Sequence, residues 1–222
     1  MPASRNPSGP LALVLVAGIL LVSSAITVYA EFVPLSQVGT TLQEKVSALS
    51  TGAIVPGPSY RSKFRVLSDC NQALNSFEGN LLPTDQRHGL LDNCQHIARA
   101  VLVDEPSYSL AWYIDALAAE GLVDSATLSA SLAQSQQTAP HQEWLARSRA
   151  ILAERHLETL TPSAVSAYHQ DLALLVQSSL GSAWVAQRYV SDPSFRDLIT
   201  TIVEQLPAEA QRQFLGAVRA AS

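Results

Sequence analysis

An uninterrupted apolar run near the amino terminus constrains this chain more than any other feature. Residues 11–30 read LALVLVAGILLVSSAITVYA, twenty positions without a charge or a proline. At 1.5 Å of rise per residue, a helix of this length spans about 30 Å, the thickness of the hydrocarbon core of a bilayer. The sequence therefore predicts either a helix that anchors the chain in a membrane or a secretory signal, and both interpretations export the remainder.

The flanks of the run favour an anchor without excluding a signal. The run is longer than the ~7–15 residues of a signal's apolar core, and Tyr29 and Phe32 lie where interfacial aromatics occur. Val28-Tyr29-Ala30, however, is compatible with a cleavage site. Because Arg5 precedes the run and the next basic residue is Lys45, the positive-inside rule predicts that residues 1–10 form a cytoplasmic tail.

The charge balance of the exported part argues against nucleic acid as a partner. Of 14 Lys and Arg only Arg5 precedes the run, whereas all 19 Asp and Glu follow it, so the exported part carries a net charge of −6. Such a surface repels phosphate backbones and anionic lipid. The sequence thus predicts a membrane-attached domain with no nucleic-acid partner.

Beyond the run the chain divides into a linker and a helical domain. Residues 31–59 hold a short amphipathic stretch at Leu42, Val46 and Leu49, followed by a Gly- and Pro-rich segment that is typical of a linker. From residue 60 to 222 apolar residues recur every three or four positions, as at Phe64, Leu67, Cys70, Leu74 and Phe77. This period predicts an all-α domain. Helix-breaking residues divide it into short antiparallel hairpins and occur at Asn80 to Pro83, Glu105-Pro106, Gly121, Ala139-Pro140, Pro162, Gly181, Asp192-Pro193 and Pro207.

Part of this domain follows a tetratricopeptide pattern. Pro106 and Pro140 are 34 residues apart, Trp112 follows the first proline, and Gly121 is predicted to turn the chain between two helices. Small residues at 116, 119, 126, 130 and 133 would let the two helices approach closely. Since Trp144 follows Pro140 at a different distance, the repeat is degenerate, and an irregular helical bundle remains the alternative.

The two cysteines are predicted to form a disulfide. Cys70 and Cys94 lie on the apolar stripes of successive helices, and both are equally far from the turn at Leu81-Leu82-Pro83. Residues equidistant from the turn of an antiparallel hairpin face each other, and an exported chain is exposed to oxidising conditions. The alternative is a pair of buried free thiols.

The sequence offers little catalytic chemistry. The five histidines, at 88, 96, 141, 156 and 169, lack the spacing of a zinc site, and no phosphate-binding loop or nucleophile elbow occurs. We therefore expect no enzyme activity, no metal and no cofactor. A glycan-cleaving or glycan-modifying enzyme with two carboxylates from distant helices is the alternative.

Three tryptophans are the candidate partner-binding residues. Trp112, Trp144 and Trp184 each lie near a predicted helix start, and tryptophan dominates many interface hot spots. The alternative is that they are core aromatics wedged between helical hairpins.

A resemblance to a known family rests on short strings across residues 95–216. These strings are Ser109-Leu110-Ala111-Trp112, Ala139-Pro140, Glu143-Trp144 with Arg147 and Arg149, Asp171-Leu172, Pro193-Ser194-Phe195-Arg196, Leu206-Pro207 and Phe214-Leu215. The chain resembles the small membrane-anchored, tetratricopeptide-like accessory proteins of bacterial exopolysaccharide biosynthesis.

The resemblance implies a non-catalytic scaffold that binds envelope machinery for polysaccharide synthesis or export. It also implies a single-pass protein of the bacterial inner membrane whose C-terminal domain is periplasmic. A soluble periplasmic binding module, released by signal cleavage, is a further alternative.

Overall fold

The computed structural model describes residues 8–37, 39–52 and 54–222, with side chains described from residue 12 and omitted at 34–37. Within these residues all of the regular secondary structure is helical, and no strand occurs. The expectation of an all-α fold is confirmed. The helices are α1 (Ser8–Gln37), α2 (Leu42–Thr51), α3 (Tyr60–Asn75), α4 (Phe77–Asn80), α5 (Thr84–Asp104), α6 (Ser109–Gly121), α7 (Ser125–Thr138), α8 (Glu143–Glu154), α9 (Pro162–Gln177), α10 (Ser179–Ser191), α11 (Pro193–Glu204) and α12 (Ala208–Ala221).

Helix α1 contains the apolar run and continues past it. Residues Ala12–Val33 are long and apolar enough to cross a membrane, although signal sequences pass the same test of length and composition. Its side chains from Ala12 to Tyr29 are exposed, as expected of a helix that contacts lipid. Arg5, which carries the predicted orientation, lies outside the described residues.

Helix α1 is joined to the domain by a capping interaction. One carboxylate oxygen of Glu31 accepts a hydrogen bond from the Ser59 backbone N–H and the other accepts one from the Ser59 hydroxyl, both at 2.6 Å. Ser59 is the N-cap of α3, so the Glu31 charge lies at the positive end of that helix. Gly57 closes the junction, since a Cβ there would lie 2.9 Å from the Ala30 carbonyl oxygen.

The short helix predicted in the linker is α2, and it packs into the core. Val46 and Leu49 are buried against α5 and α3, and Ile54 is buried in the segment that follows. The packed part of the chain therefore begins before residue 60. A capping box between Thr41 and Glu44 starts α2, and it satisfies backbone N–H groups that would otherwise lack partners.

Helices α3 and α5 form the predicted disulfide-bonded hairpin. Cys70 and Cys94 are bonded, with their Cα atoms 5.7 Å apart. The connection differs in detail, because α3 ends at Asn75 and the single turn of α4 precedes the break at 81–83. Phe77 consequently lies outside the apolar stripe and is 74% exposed.

Two further hairpins, α6–α7 and α8–α9, lie side by side. Their first helices begin 34 residues apart, at Ser109 and Glu143, as the proline spacing predicts. Their second helices begin 37 residues apart, at Ser125 and Pro162, because the connection after α8 is longer. Helix α6 is buried along nearly its whole length, and α7 packs on both α6 and α9.

The face of α7 that contacts α6 is polar, which differs from the tetratricopeptide pattern. Ala126 and Ala130 are exposed, whereas Ser131 and Ser135 are buried. Serine is small enough for close approach, and its hydroxyl can bond to groups on α6. Hydrogen bonds therefore hold α6 and α7 together where the tetratricopeptide pattern predicts alanine contacts.

Gly121 and Gly181 do not have the predicted roles. Gly121 is the last residue of α6, and a Cβ there would lie 2.3 Å from Leu91 Cδ2, so its small size permits α5 to pack closely. The turn is made instead by Val123, whose φ is 61°. Gly181 lies inside the first turn of α10, and the break occurs at Ser178, which caps that helix.

Replacing Val123 by glycine should stabilise the protein by about 1 kcal/mol, because a β-branched residue is strained at positive φ. The position completes a Schellman motif, in which the Asp124 N–H bonds to the Ala119 carbonyl and the Val123 N–H to that of Glu120. Val123 is 90% exposed, so little packing is lost. The midpoint of thermal unfolding should be higher in Val123→Gly than in the unaltered chain. It should be lower in Gly121→Ala, because a Cβ there would clash with Leu91. An unchanged or lower midpoint for Val123→Gly would contradict this account.

Candidate functional site

A buried polar network links the two central hairpins. The Ser109 hydroxyl donates to the Ser135 carbonyl oxygen at 2.8 Å, and the Ser135 hydroxyl donates to that of Ser109 at 3.0 Å. Nearby, Asp115 accepts hydrogen bonds from Ser131 Oγ at 2.5 Å and from Arg99 Nε at 2.8 Å. These contacts satisfy polar groups that would be costly to bury alone.

Arg149 and Asp171 form the centre of this network. Arg149 Nε and Nη2 donate to the two Asp171 oxygens at 2.7 and 2.6 Å. Both residues are almost fully buried, at 2% and 1% exposed. Burial raises the pKa of Asp171 to about 6, although the Arg149 guanidinium acts to lower it. The pair joins α8 to α9 across the hairpin interface.

Arg149 also holds the end of α7 in place. Its Nη1 donates to the Ser135 carbonyl at 3.1 Å, and its Nη2 donates to that of Ala139 at 3.3 Å. Both acceptors lie at the C-terminal end of α7, which is the negative end of the helix dipole, so a cation there is favourable. Because Thr138 and Ala139 line the surface groove described next, the buried arginine fixes one of its walls.

An aromatic groove of about 240 Å³ opens on the surface beside this network. We define it by Tyr60 and Phe64 on α3, Tyr108 before α6 and Trp144 on α8. The Tyr60 ring stacks on Tyr108, with centroids 5.4 Å apart, and on Phe64, with centroids 6.1 Å apart. The four residues come from three distant segments that the helical packing brings together.

Polar groups lie among these rings. Glu105, Ser107 and Gln142 line the groove, and the Glu105 carboxylate receives a hydrogen bond from Lys63 Nζ at 2.6 Å. The Tyr108 hydroxyl is buried and makes no hydrogen bond with good geometry within the described residues. Burial raises the pKa of Tyr108, and the neighbouring Tyr60 hydroxyl raises it further.

The structure places the three candidate tryptophans in different surroundings. Trp144 is 47% exposed and lines the aromatic groove. Trp112 is half-buried, and its indole N–H donates to the Pro106 carbonyl at 2.8 Å, so it braces the loop that carries Tyr108. Trp184 is half-buried on α10 and does not line the groove.

Trp184 belongs to a second surface feature, the Trp184 patch, which comprises Arg147, Leu180, Trp184 and Arg188. The guanidinium groups of Arg147 and Arg188 each lie 5.3 Å from the indole centroid. Arg188 pairs with Glu154, whereas Arg147 is exposed and makes no ion pair with the described residues. Leu180 is 78% exposed one turn before Trp184 and therefore shares its helix face.

The remaining candidate groups are distributed over the surface. His88 pairs with Asp92, and His156 with Glu120. No group of three His, Cys, Asp or Glu side chains suited to a metal occurs among residues whose placement is described.

Sequence reasoning missed Tyr60, Phe64 and Tyr108 as site residues. Phe64 follows the apolar period of a helix and does not stand out from it, and no local pattern marks the two tyrosines. One signal was available, since Tyr60 follows the Gly- and Pro-rich segment directly at a helix start.

Comparisons with known proteins add no relative. No family model matches the chain, and no curated protein or solved structure is similar to it.

Proposed function

We propose that this protein is a non-catalytic, membrane-anchored scaffold that binds another protein of the bacterial envelope. In this proposal α1 lies in the inner membrane and the helical-hairpin domain is periplasmic. The resemblance noted in the sequence makes exopolysaccharide synthesis or export the candidate machinery.

The Trp184 patch carries the proposal. It combines an exposed leucine, a half-exposed tryptophan and an arginine without an ion-pair partner in the described part of the chain. Tryptophan and arginine are the side chains enriched in interface hot spots. Because Arg147 has no ion-pair partner among the described residues, the patch suits a partner surface that offers both an apolar contact and a carboxylate.

The junction at Glu31 supports the anchored arrangement. Its contacts with Ser59 and the close approach at Gly57 hold the domain against the end of α1, so the domain would be presented at a fixed height above the membrane. Edman sequencing of the mature protein tests this part, because an intact first helix supports the anchor and a new terminus at Glu31 contradicts it.

The enzyme alternative is less favoured by the geometry. Glycoside hydrolysis commonly needs two carboxylates that flank the scissile bond. The aromatic groove is lined by one, Glu105, and Lys63 binds it. A partner-binding role requires no such pair.

Photo-cross-linking in native membranes tests the scaffold. A photoreactive amino acid at Leu180, next to Trp184, should give an adduct with one other envelope protein. The same amino acid at Val103, which is 83% exposed on α5, is the matched control. The Leu180 adduct should disappear with Arg147→Glu and persist with Phe77→Ala. No adduct, or equal adducts at both positions, would contradict the proposal.

A further inference from the structure

The aromatic groove exposes more ring surface than packing requires. Tyr60 is 64% exposed, Trp144 47% and Phe64 40%, although they belong to separate segments of the chain. Single exposed aromatics are common, but three that converge on one groove mark a binding surface. Their flat faces offer apolar contact to a ligand that is itself flat and partly apolar.

The polar groups of the groove restrict the chemistry of that ligand. The Glu105 carboxylate can only accept hydrogen bonds, whereas the Gln142 amide and the Ser107 hydroxyl can donate and accept. A matching ligand must therefore carry several hydroxyl or amide donors as well as acceptors. Since Lys63 neutralises Glu105 at 2.6 Å, the groove attracts neither sign of charge strongly.

The Tyr108 hydroxyl provides an independent sign of a missing partner. Tyr108 is 8% exposed and lines the groove, yet its hydroxyl makes no hydrogen bond with good geometry to any residue that the structure describes. Leaving such a group unsatisfied is energetically costly. Its neighbour is the hydroxyl of the exposed Tyr60 side chain, so a ligand hydroxyl that takes the place of Tyr60 can supply a well-formed partner.

We propose that the aromatic groove binds an uncharged saccharide chain. Sugar rings would stack on Trp144 and Tyr60 through their apolar C–H faces, and sugar hydroxyls would donate to Glu105 and bond with Gln142. A proline-rich peptide also fits aromatic grooves, but it has few N–H donors to satisfy Glu105. The inference extends the proposed function by adding a ligand at a groove that shares no lining residue with the Trp184 patch.

Titration with oligosaccharides tests the inference. The full-length chain, in a polyoxyethylene detergent that lacks sugar head groups, is titrated with uncharged linear hexasaccharides of glucose, mannose, galactose and N-acetylglucosamine. Calorimetry should detect binding of at least one of them. Trp144→Ala should weaken that binding roughly ten-fold or more, and Trp144→Phe should retain much of it, since a ring face remains.

Matched variants make the result decisive. Phe77→Ala removes an exposed aromatic outside the groove and should bind as the unaltered chain does. An unchanged unfolding midpoint for Trp144→Ala shows that the fold is intact. Absence of binding by every hexasaccharide, or equal weakening by Trp144→Ala and Phe77→Ala, would overturn the inference. Trp144-dependent binding of a proline-rich decapeptide in place of the sugars would overturn it as well.

The two proposals can be contradicted independently of each other. Arg147→Glu should abolish the Leu180 cross-link while leaving saccharide binding unchanged, and Trp144→Ala should do the reverse. Loss of both activities in either variant would contradict the assignment of two separate surfaces.

Discussion

Replacing Arg149 by methionine is expected to lower the free energy of unfolding by about 3–5 kcal/mol at pH 8. The substitution leaves the Asp171 carboxylate buried without a counter-ion, and it removes one of the hydrogen bonds that the Ser135 and Ala139 carbonyls accept. Urea unfolding of the full-length chain in micelles, followed by tryptophan fluorescence, measures the change. Arg147→Met, on the same helix but exposed, should cost less than about 1 kcal/mol.

The cost of Arg149→Met should shrink as the pH falls. The pKa of Asp171 is about 6 in the folded chain and 3.8 when unperturbed, so folding favours the protonated acid. The penalty for burying the Asp171 charge is therefore complete above pH 6, shrinks as the pH falls from 6 to 3.8, and is absent below 3.8. Without the guanidinium this pKa rises further. The difference in unfolding free energy between Arg149→Met and the unaltered chain should therefore shrink between pH 8 and pH 5. It should shrink by about 1.4 kcal/mol for each pKa unit of that rise.

A double variant separates charge burial from other effects. Arg149→Met combined with Asp171→Leu removes both charges and should recover part of the lost stability, because well-packed apolar residues often replace a buried pair at little cost. If the double variant is no more stable than Arg149→Met, most of the lost stability comes from the carbonyl contacts of Arg149 and not from the ion pair.

Removing the disulfide is expected to cost about 3 kcal/mol, since the bond closes a loop of 24 residues in the unfolded chain. In Cys70→Ser/Cys94→Ser the thermal midpoint should fall, while helical content by circular dichroism at low temperature stays nearly the same. Helices α7, α8 and α10 to α12 pack on α6 or α9 without using this bond.

Alkylation provides the direct check on that bond. Protein purified from the envelope without reductant should incorporate no thiol label by mass spectrometry, and two labels should appear after reduction. Two labels before reduction would contradict the disulfide. A reduced chain as stable as the oxidised one would show that the bond adds little to the hairpin.

The local features of the fold could be predicted because short-range physics sets them. An apolar run of twenty residues specifies a helix that is long and apolar enough to span a bilayer, whatever surrounds it. Prolines and capping residues specify where helices begin, as Pro162 and Pro193 do. The disulfide could be predicted too, because two cysteines equidistant from one turn must face each other in an antiparallel hairpin.

The site could be predicted only in part, because it depends on how helices rotate against one another. The sequence indicated Trp144 as a partner-binding residue, but its neighbours Tyr60 and Tyr108 lie 84 and 36 residues away along the chain. No local pattern shows that Arg149 faces Asp171, since each charge alone resembles part of a solvated helix face. The exposed alanines and buried serines of α7 depend in the same way on the groups that α6 offers.

The sequence by itself thus determined the long apolar helix α1, the all-α class, most helix boundaries and the disulfide-bonded hairpin. Only the tertiary structure decided which polar groups are buried together, which residue turns the chain after α6, and which aromatic rings remain exposed in one groove. The first set follows from spacing within a single helix or turn. The second follows from contacts between segments far apart in the chain, where a small rotation of one helix changes which side chains meet.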